Sequence, residues 1–269
     1  MLSRSADRTG HHPRARSHHT TAATKNSTFH EPAVPEHRRC TRVAKVNVLH
    51  SYTGHTDPGG PAARRSLDAL TITKLSVGPM DNNAYLLVCT KTGEALLIDA
   101  ANDPERLMDM IGHGADRPHL HTLVTTHRHR DHWQALAAVA GMCEPTTIAH
   151  PLDAPELPIP TGRLVNHGDR ITVGQVELEV IHLRGHTPGS IALLYRDATA
   201  PHLFTGDSLF PGGVGRTGSP EDFRQLIDDV EQRVFDLLPD ETWFYPGHGD
   251  DSTLGAERPH LAEWRERGW

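Results

Sequence analysis

Three histidines and one aspartate lie within six residues, directly after a short apolar run, in the stretch LVTTHRHRDHW. The chain contains 21 histidines in all, so histidine content alone indicates little. The spacing is more informative, because alternate residues of an extended turn point to the same side. His127 and His129 are therefore expected on one side of the turn, and Asp131 and His132 on another. Imidazole and carboxylate suit Zn²⁺ or iron, so the turn predicts two adjacent metal positions.

Three further candidate ligands lie in the second half of the chain, each at the C-terminal end of an apolar run and beside glycine. They are His186 in LRGHTPGS, Asp207 in FTGDSLF and His248 in FYPGHGD. An isolated histidine on a loop is usually solvated, so none of these motifs alone would define a site. Their joint occurrence in one kind of setting predicts that they complete the metal positions begun by the histidine-rich turn.

The pattern between these motifs predicts alternating strands and helices. Short apolar runs bounded by turn signals predict strands, and one of them carries the histidine-rich turn at its end. The clearest helix has Ser219 as its N-cap and Pro220 in its first turn. Two sheets covered by helices are the layered arrangement that this alternation favours. Strands are expected within residues 70–78, 84–90, 94–100, 121–126, 169–183, 190–196, 202–207 and 242–247, and helices within 103–111, 133–142, 219–238 and 257–268.

The N-terminal part of the chain differs in composition from the remainder. Residues 1–66 carry 11 Lys and Arg against 4 Asp and Glu, whereas the rest carries 16 against 30, for net charges of +7 and −14. Such a polar segment cannot bury enough apolar surface to offset the entropy of ordering. We therefore predict a disordered basic extension over residues 1–67 and a folded domain over residues 68–269. The extension has the composition of a transit peptide or a nucleic-acid-binding tail, but a non-functional extension is favoured.

Several classes of protein are disfavoured by the sequence. No apolar run reaches the length of a signal-peptide core or of a membrane span, so a cytoplasmic protein without membrane contact is expected. Three widely spaced cysteines cannot form a full disulfide framework, which fits a reducing compartment. The acidic body argues against nucleic acid as a partner, because phosphate binding needs basic residues along a groove.

From about Leu70 onward, the chain resembles the metallo-β-lactamase superfamily. HRHRDH is similar to the H-x-H-x-D-H signature of that family, and GHTPGS, TGDSLF and PGHGD are similar to its three later metal-ligand motifs, in their usual order. The resemblance implies a mixed α/β (α+β) fold, a four-layer αββα sandwich with the site along the edge of the two sheets. This expectation agrees with the alternation of strands and helices.

The resemblance also implies a role for individual residues. The ligands implied for the first metal ion are His127, His129 and His186, and those for the second are Asp131, His132 and His248. Asp207 would bridge the two ions. Asp99, at the end of LLIDA, resembles an aspartate that orients the metal-binding loop from behind the ligands.

The chain departs from the family pattern at two places near these residues. Ala101 replaces a glycine that usually lies two residues beyond the position of Asp99. Trp133 and Gln134 replace the small residues expected after the signature. Trp133 would either narrow the pocket or pack inside the sandwich, and packing is favoured.

This ligand set predicts a metal-dependent hydrolase. Two cations a few ångströms apart can hold a bridging hydroxide near neutral pH and polarise an acyl oxygen as it gains charge. Asp131 could accept or return a proton. Two Zn²⁺ ions per chain are expected, although the same ligands suit iron. The sequence contains neither a G-x-S-x-G elbow nor a phosphate-binding P-loop, so it offers no competing site.

The stretch GDSLFPGGVGRTG is the local clue to the substrate. It resembles the glyoxalase II-like branch, whose members hydrolyse thioesters such as S-lactoylglutathione. Arg216 would then face an anionic thiol carrier, or it would form an ion pair with Asp222. Gly218 stands where that branch has an aromatic residue, which leaves another thiol carrier or a smaller thioester open. We therefore expect a small acyl ester as substrate, above all a thioester, and the alternative is a persulfide dioxygenase of the same fold with a single iron.

Overall fold

The strands of the chain form two sheets that pack face to face. The computed structural model describes residues 45–112 and 119–268. Neighbouring strands in the first sheet follow the order of the chain. The strands of the first sheet are β1 (Val48–Leu49), β2 (Ala62–Ser66), β3 (Leu70–Val77), β4 (Asn82–Cys89), β5 (Glu94–Ile98), β6 (His119–Val124), β7 (Thr146–Ala149) and β8 (Arg163–Leu164).

The second sheet is built from the second half of the chain. The strands that follow β8 are β9 (Arg170–Val173), β10 (Val176–His182), β11 (Ile191–Arg196), β12 (Pro201–Gly206), β13 (Leu209–Phe210), β14 (Gly213–Val214), β15 (Trp243–Pro246) and β16 (Ser252–Thr253). The sheet has the order β16-β15-β12-β11-β10-β9, and β13 and β14 form a separate hairpin. Because β10 and β12 are each antiparallel to β11 and β15 is parallel to β12, the strands β10, β12 and β15 all end at one edge.

Helices cover the outer face of each sheet. They are α1 (Pro104–Gly112), α2 (Leu136–Cys143), α3 (Pro220–Val230), α4 (Leu254–Glu257) and α5 (Leu261–Arg267). The predicted N-cap of α3 is confirmed, because the Ser219 hydroxyl accepts the amide N–H of Asp222. The regular helix is shorter than expected, since residues 231–235 form a wider turn. Within the described residues, no helix has the length and apolar character needed to cross a membrane.

Three apolar cores define the layers. One core lies between the two sheets, a second lies between the first sheet and α1 and α2, and a third lies between the second sheet and α3 and α5. Strand β4 illustrates how the sequence specifies two of these cores, because successive side chains point to opposite faces of a sheet. Tyr85 and Leu87 face the central core, whereas Leu86 faces the helices. Burial of one such leucine contributes about 1.5–3 kcal/mol. The predicted four-layer αββα sandwich is confirmed.

The predicted extent of the disordered extension is wrong at its C-terminal end. Residues 45–67 belong to the folded part, because β2 pairs with β3 and the Arg64 guanidinium donates to the Thr73 hydroxyl at 2.9 Å. Only the two alanines of β2 are buried, and two partly exposed arginines follow them. Two consecutive alanines are too short an apolar run to predict a strand from the sequence. Residues 1–44 lie outside the described residues.

We expect a chain that begins at Leu67 to unfold at a temperature about 5 °C or more below that of a chain that begins at Lys45. The shorter chain loses β1, β2 and the Gly54 carbonyl. That carbonyl accepts a hydrogen bond from the buried ammonium of Lys74 at 2.7 Å. An unsatisfied buried donor costs about 1–3 kcal/mol, and each kcal/mol lowers the melting temperature of a domain of this size by about 2–4 °C. Equal melting temperatures for the two chains, measured by circular dichroism, would contradict this assignment.

Candidate metal centre

The histidine-rich turn begins directly after β6 and is fixed by Asp99. The carboxylate of Asp99 accepts the amide N–H of Thr126 at 2.8 Å with one oxygen and the Thr126 hydroxyl at 2.8 Å with the other. Residues 130–132 then form a single 3₁₀ turn. The first two histidines and the last two candidate ligands of this segment fall into different groups within the same cleft.

The first group of candidate ligands consists of His127, His129 and His186. The Nδ1 atom of His129 lies 2.9 Å from Nε2 of His186, and that Nε2 lies 3.3 Å from Nε2 of His127. One donor atom from each of the three residues lies within 4.8 Å of the others. His127 and His129 come from the loop after β6, whereas His186 comes from the loop after β10.

The second group consists of Asp131, His132 and His248. The Nε2 atom of His132 lies 3.1 Å from Nε2 of His248 and 3.4 Å from Oδ2 of Asp131. The same Asp131 oxygen lies 3.2 Å from Nε2 of His248. His248 follows β15, so this group also joins the two sheets.

Asp207 lies between the two groups. Its Oδ2 atom lies 3.6 Å from Nε2 of His186 and 3.4 Å from Nε2 of His248, and its Oδ1 atom lies 3.3 Å from Nε2 of His132. Oδ1 is buried and has no hydrogen-bond partner within the described part of the chain. A buried carboxylate oxygen in this state is costly unless a cation satisfies it.

The donor atoms fit a pair of divalent cations. Donors about 2.1 Å from a tetrahedral ion are about 3.4 Å apart. The separations in both groups are close to that value. Imidazole nitrogens and carboxylate oxygens also match the preferences of zinc and iron. The residues that could hold two cations are therefore His127, His129 and His186, with Asp207, at a first position, and Asp131, His132 and His248, with Asp207, at a second.

Hydrogen bonds behind the histidines set which ring nitrogen faces the cleft. The Nδ1 atoms of His186 and His248 face main-chain carbonyls, those of Arg216 at 2.6 Å and Met80 at 2.8 Å. A carbonyl only accepts, so these Nδ1 atoms carry a proton, and Nε2 is the ring nitrogen that would bind a cation after losing any proton of its own. His132 is oriented in the same way by Asp99, whose Oδ2 lies 2.9 Å from its Nδ1.

Glycine is required where the main chain passes the bridging carboxylate. A Cβ atom on Gly247 would lie 2.1 Å from Oδ1 of Asp207, and one on Gly215 would lie 1.8 Å from its main-chain oxygen. No side chain fits at either distance. The glycines around the sequence motifs therefore serve the close approach of loops that carry the ligands.

Burial and charge act differently on the two groups. Burial lowers the pKa of His127 well below its ordinary value and also lowers the pKa of His186. Burial acts in the same direction on His132 and His248, but neighbouring carboxylates raise their pKa values to about 10 and about 9: Asp207 and Asp99 act on His132, and Asp131 and Asp207 act on His248. A cation entering the second position must therefore displace protons, so its affinity falls as the pH falls.

Asn82 supports the second group and was not among the residues predicted for the site. The side-chain amide of Asn82 donates to Oδ2 of Asp131 at 2.9 Å. It lies at the start of β4, at the same edge of the sandwich as the strand ends that carry the ligands. An asparagine beside a turn is common in any chain, so its sequence setting, MDNNA, carries no signal that distinguishes it from a turn residue.

The structure also places the residues at which the chain departs from the family pattern. Ala101 is fully buried beneath α1 and α2. The indole of Trp133 packs against the same core and donates to the main-chain carbonyl of Arg128 at 2.7 Å. The side chain therefore packs within the sandwich and does not narrow the cleft.

A cavity of about 750 Å³ opens beside His129 and His186. Arg128, Arg184 and Arg216 line it, but the Arg184 guanidinium is neutralised by Asp229 at 2.6 Å. Asp222, the predicted alternative partner of Arg216, forms no ion pair with it within the described residues. The Asp222 carboxylate accepts a hydrogen bond from the Ser219 hydroxyl. No carboxylate in residues 45–112 or 119–268 forms an ion pair with Arg128 or Arg216. Both guanidinium groups are therefore available to an anionic ligand.

Comparison with known proteins agrees with this geometry. The family model of the metallo-β-lactamase superfamily matches residues 77–248. A protein of Ruegeria pomeroyi named hydroxyacylglutathione hydrolase is 34% identical over 186 residues, which cover 68% of this chain and 66% of that relative. The chain thus spans slightly less than two thirds of the length of that protein.

Two solved structures extend the comparison. ETHE1 from Myxococcus xanthus is 29% identical, with a TM-score of 0.63 over 72% of this chain and 84% of that chain. A di-iron-bound form of TTHA1623 is 32% identical, with a TM-score of 0.58 over 69% of this chain and 96% of that chain. The described fold and the match to the family model therefore agree.

Proposed function

We propose that this chain, which belongs to the metallo-β-lactamase superfamily, is a two-metal hydrolase that acts on a small acyl thioester. The observation that carries the proposal is the convergence of two complete groups of ligands on Asp207. Members of this superfamily bind divalent metals and are mostly metallo-hydrolases. The kind of ester, the identity of the metal and the number of ions belong to the proposal.

The two cations would supply a water-derived nucleophile near neutral pH and would polarise the acyl oxygen. The residues of the chain hold the cleft in the geometry for that chemistry. Asp207 lies between the two groups of candidate ligands and would contact both cations. The main-chain carbonyls behind His186 and His248 keep a ring proton on Nδ1, on the side away from the cleft. No side chain needs to form a covalent intermediate, and zinc is the metal that we propose.

Asp131 is placed to handle a proton during turnover. A hydrogen bond with His248 holds its pKa well below the usual range, even though partial burial acts the other way. Its carboxylate is therefore ionised, and the amide of Asn82 fixes one of its oxygens. Because the lowered pKa makes this carboxylate a weak base, we propose that Asp131 orients the attacking water and relays its proton to the leaving group without retaining it.

The cavity beside the first group supports a substrate with negative charge. Its volume lies within the range of pockets for small molecules, about 300–1,000 Å³. Arg216 and Arg128 present guanidinium groups without carboxylate partners in the described chain, and a planar guanidinium suits a carboxylate. We propose that Arg216 binds an anionic part of the substrate. The relative named hydroxyacylglutathione hydrolase supports a thioester with an anionic thiol.

A second candidate is a persulfide dioxygenase with one iron in the first position. The di-iron-bound form of TTHA1623 supports iron as a candidate metal, because it shows that a protein similar to this chain can hold iron. The ligands of the first position suit iron as well as zinc. The complete second group favours the hydrolase, since a single iron would leave Asp131, His132 and His248 without a metal.

Metal-loaded protein is expected to hydrolyse S-acyl thioesters with kcat/KM of about 10⁴ M⁻¹ s⁻¹ or above, and to lose activity when the metals are removed by a chelator. A thiolate leaves more readily than an alkoxide, so matched oxygen esters should react more slowly. The assay follows the proton released on ester cleavage, in a pH-stat, for acetyl esters that differ only in the sulfur or oxygen atom. Failure to hydrolyse any ester, with both metals bound, would contradict the proposed function. Oxygen uptake with a persulfide would support the second candidate instead.

A further inference from the structure

A buried carboxylate outside the two ligand groups joins the loops that carry the first group. Asp153 follows β7 and is 1% exposed. Its Oδ2 atom accepts the amide N–H of Arg128 at 3.0 Å and the Thr187 hydroxyl at 2.5 Å. Its Oδ1 atom accepts the amide N–H of Gly189 at 2.8 Å. One side chain thus receives three donors from two loops that are distant in sequence.

The donors that Asp153 holds lie next to all three ligands of the first position. Arg128 lies between His127 and His129 in the chain, and Thr187 directly follows His186. A shift of the Arg128 amide moves both neighbouring histidines, because the two peptide planes on either side of it are rigid. Asp153 therefore fixes the distance between the two loops at the point where their ligands meet.

The surroundings of Asp153 keep its carboxylate in place. The amide N–H of Asp153 donates to the carbonyl of His150 at 3.1 Å, and the His150 ring stacks on His182 with ring centres 4.0 Å apart. Gly189 leaves the space that the carboxylate occupies, since a Cβ there would lie 2.7 Å from Cγ of Asp153. The carboxylate is thus held from both sheets, because β7 belongs to the first sheet and His182 ends β10 of the second.

Asp99 and Asp153 divide the support of the cleft between them. Asp99 binds the side chain of His132 and both polar groups of Thr126, so it acts on both metal positions. Asp153 contacts none of Asp131, His132 and His248 among the hydrogen bonds of the described chain. Its hydrogen bonds therefore support the first position, and no other carboxylate in residues 45–112 or 119–268 joins these two loops in this way.

We propose that Asp153 is a positioning residue that sets the geometry of the first metal position by joining the loop of His127 and His129 to the loop of His186. This inference rests on the two-metal site proposed above. Residues behind metal ligands commonly change metal affinity by about 10–100-fold when they are replaced. We expect a loss of this size at the first position and none at the second.

The variant Asp153→Asn tests the proposal with little change in shape. An amide offers a single acceptor oxygen, and its NH₂ group must replace the other carboxylate oxygen. In one orientation the NH₂ group opposes the amide N–H of Gly189, and in the other it opposes that of Arg128. Either choice places two donors against each other, so one of the loops loses its anchor.

The measurement is titration of metal-free full-length protein with Zn²⁺ in competition with a chromophoric chelator. Wild-type protein is expected to bind two ions, and His129→Ala and His248→Ala give the reference curves for loss of the first and the second position. Asp153→Asn should follow the His129→Ala curve. Asp197 provides a matched control, because its carboxylate also accepts three hydrogen bonds, from Tyr195 and Thr199, but on the β11 to β12 turn.

The outcomes separate positioning from a general structural role. Weakening of the first position alone, with Asp197→Asn unchanged and the melting temperature of metal-free Asp153→Asn within about 3 °C of wild type, supports the proposal. Wild-type affinity at both positions, or equal weakening at both, overturns it. If Asp153→Asn does not fold, Thr187→Val removes one of its three contacts and is judged by the same criteria. Wild-type protein that binds fewer than two ions would instead contradict the proposed two-metal site.

Discussion

Replacement of Asp207 by alanine is expected to lower kcat/KM for thioester hydrolysis by about 10³-fold. Asp207 is the only carboxylate of the described chain within 4 Å of ring nitrogens from both ligand groups. Its loss therefore disturbs both metal positions at once, whereas the loss of a single stabilising donor in an enzyme costs about 10²–10³-fold. The activity is measured by thiol release under steady-state conditions.

The fold should survive this change. The Asp207 side chain lies in a cleft between loops, and no apolar core residue depends on it. Circular dichroism should show the wild-type spectrum, and Asp197→Ala, remote from the cleft, should keep wild-type kinetics. An Asp207→Ala variant that hydrolyses thioesters at the wild-type rate would remove Asp207 from the site.

Replacement of Asp251 by alanine is expected to lower the free energy of unfolding by about 3–5 kcal/mol, which corresponds to a decrease in melting temperature of about 10 °C. The ammonium of Lys74 and the carboxylate of Asp251 are both fully buried and lie 2.7 Å apart. Removal of the carboxylate leaves a charge in the core with no counter-ion. Thermal melts and denaturant titrations measure the loss.

The remaining contacts of this ion pair extend its effect toward the cleft. Lys74 also donates to the carbonyl of Gly249 at 2.6 Å, directly after His248, and Asp251 accepts from the Trp243 indole at 3.1 Å. A double variant, Lys74→Met with Asp251→Ala, removes both charges and should be more stable than Asp251→Ala alone. If the double variant is the less stable of the two, the penalty does not arise from a stranded charge.

The ligand motifs could be read from the sequence because each combines a chemical and a local structural signal. A strand that ends at the edge of a sheet, a glycine that permits close approach, and an imidazole or carboxylate occur together at His186, Asp207 and His248. These requirements are local, so they appear in a few consecutive residues. The structure brings all seven candidate ligands together in one cleft.

The supporting residues could not be read in the same way. Asn82 and Asp153 act through contacts with residues about 50 and 25 to 36 positions away, and nothing in their own neighbourhoods marks them. Strand β2 was missed because it is stabilised by pairing with β1 and β3 and by contacts of its two arginines with Thr73 and the Trp243 ring instead of by an apolar pattern. Such features depend on tertiary contacts, which the order of residues does not display.

The central claim is that the cleft holds two metal ions on seven side chains that meet at Asp207. Elemental analysis of the full-length protein, expressed in medium that supplies both zinc and iron, measures this directly. The account predicts about two equivalents of metal per chain, zinc above all, and their loss in the Asp207→Ala variant. A single equivalent of iron, or no bound metal, would contradict it.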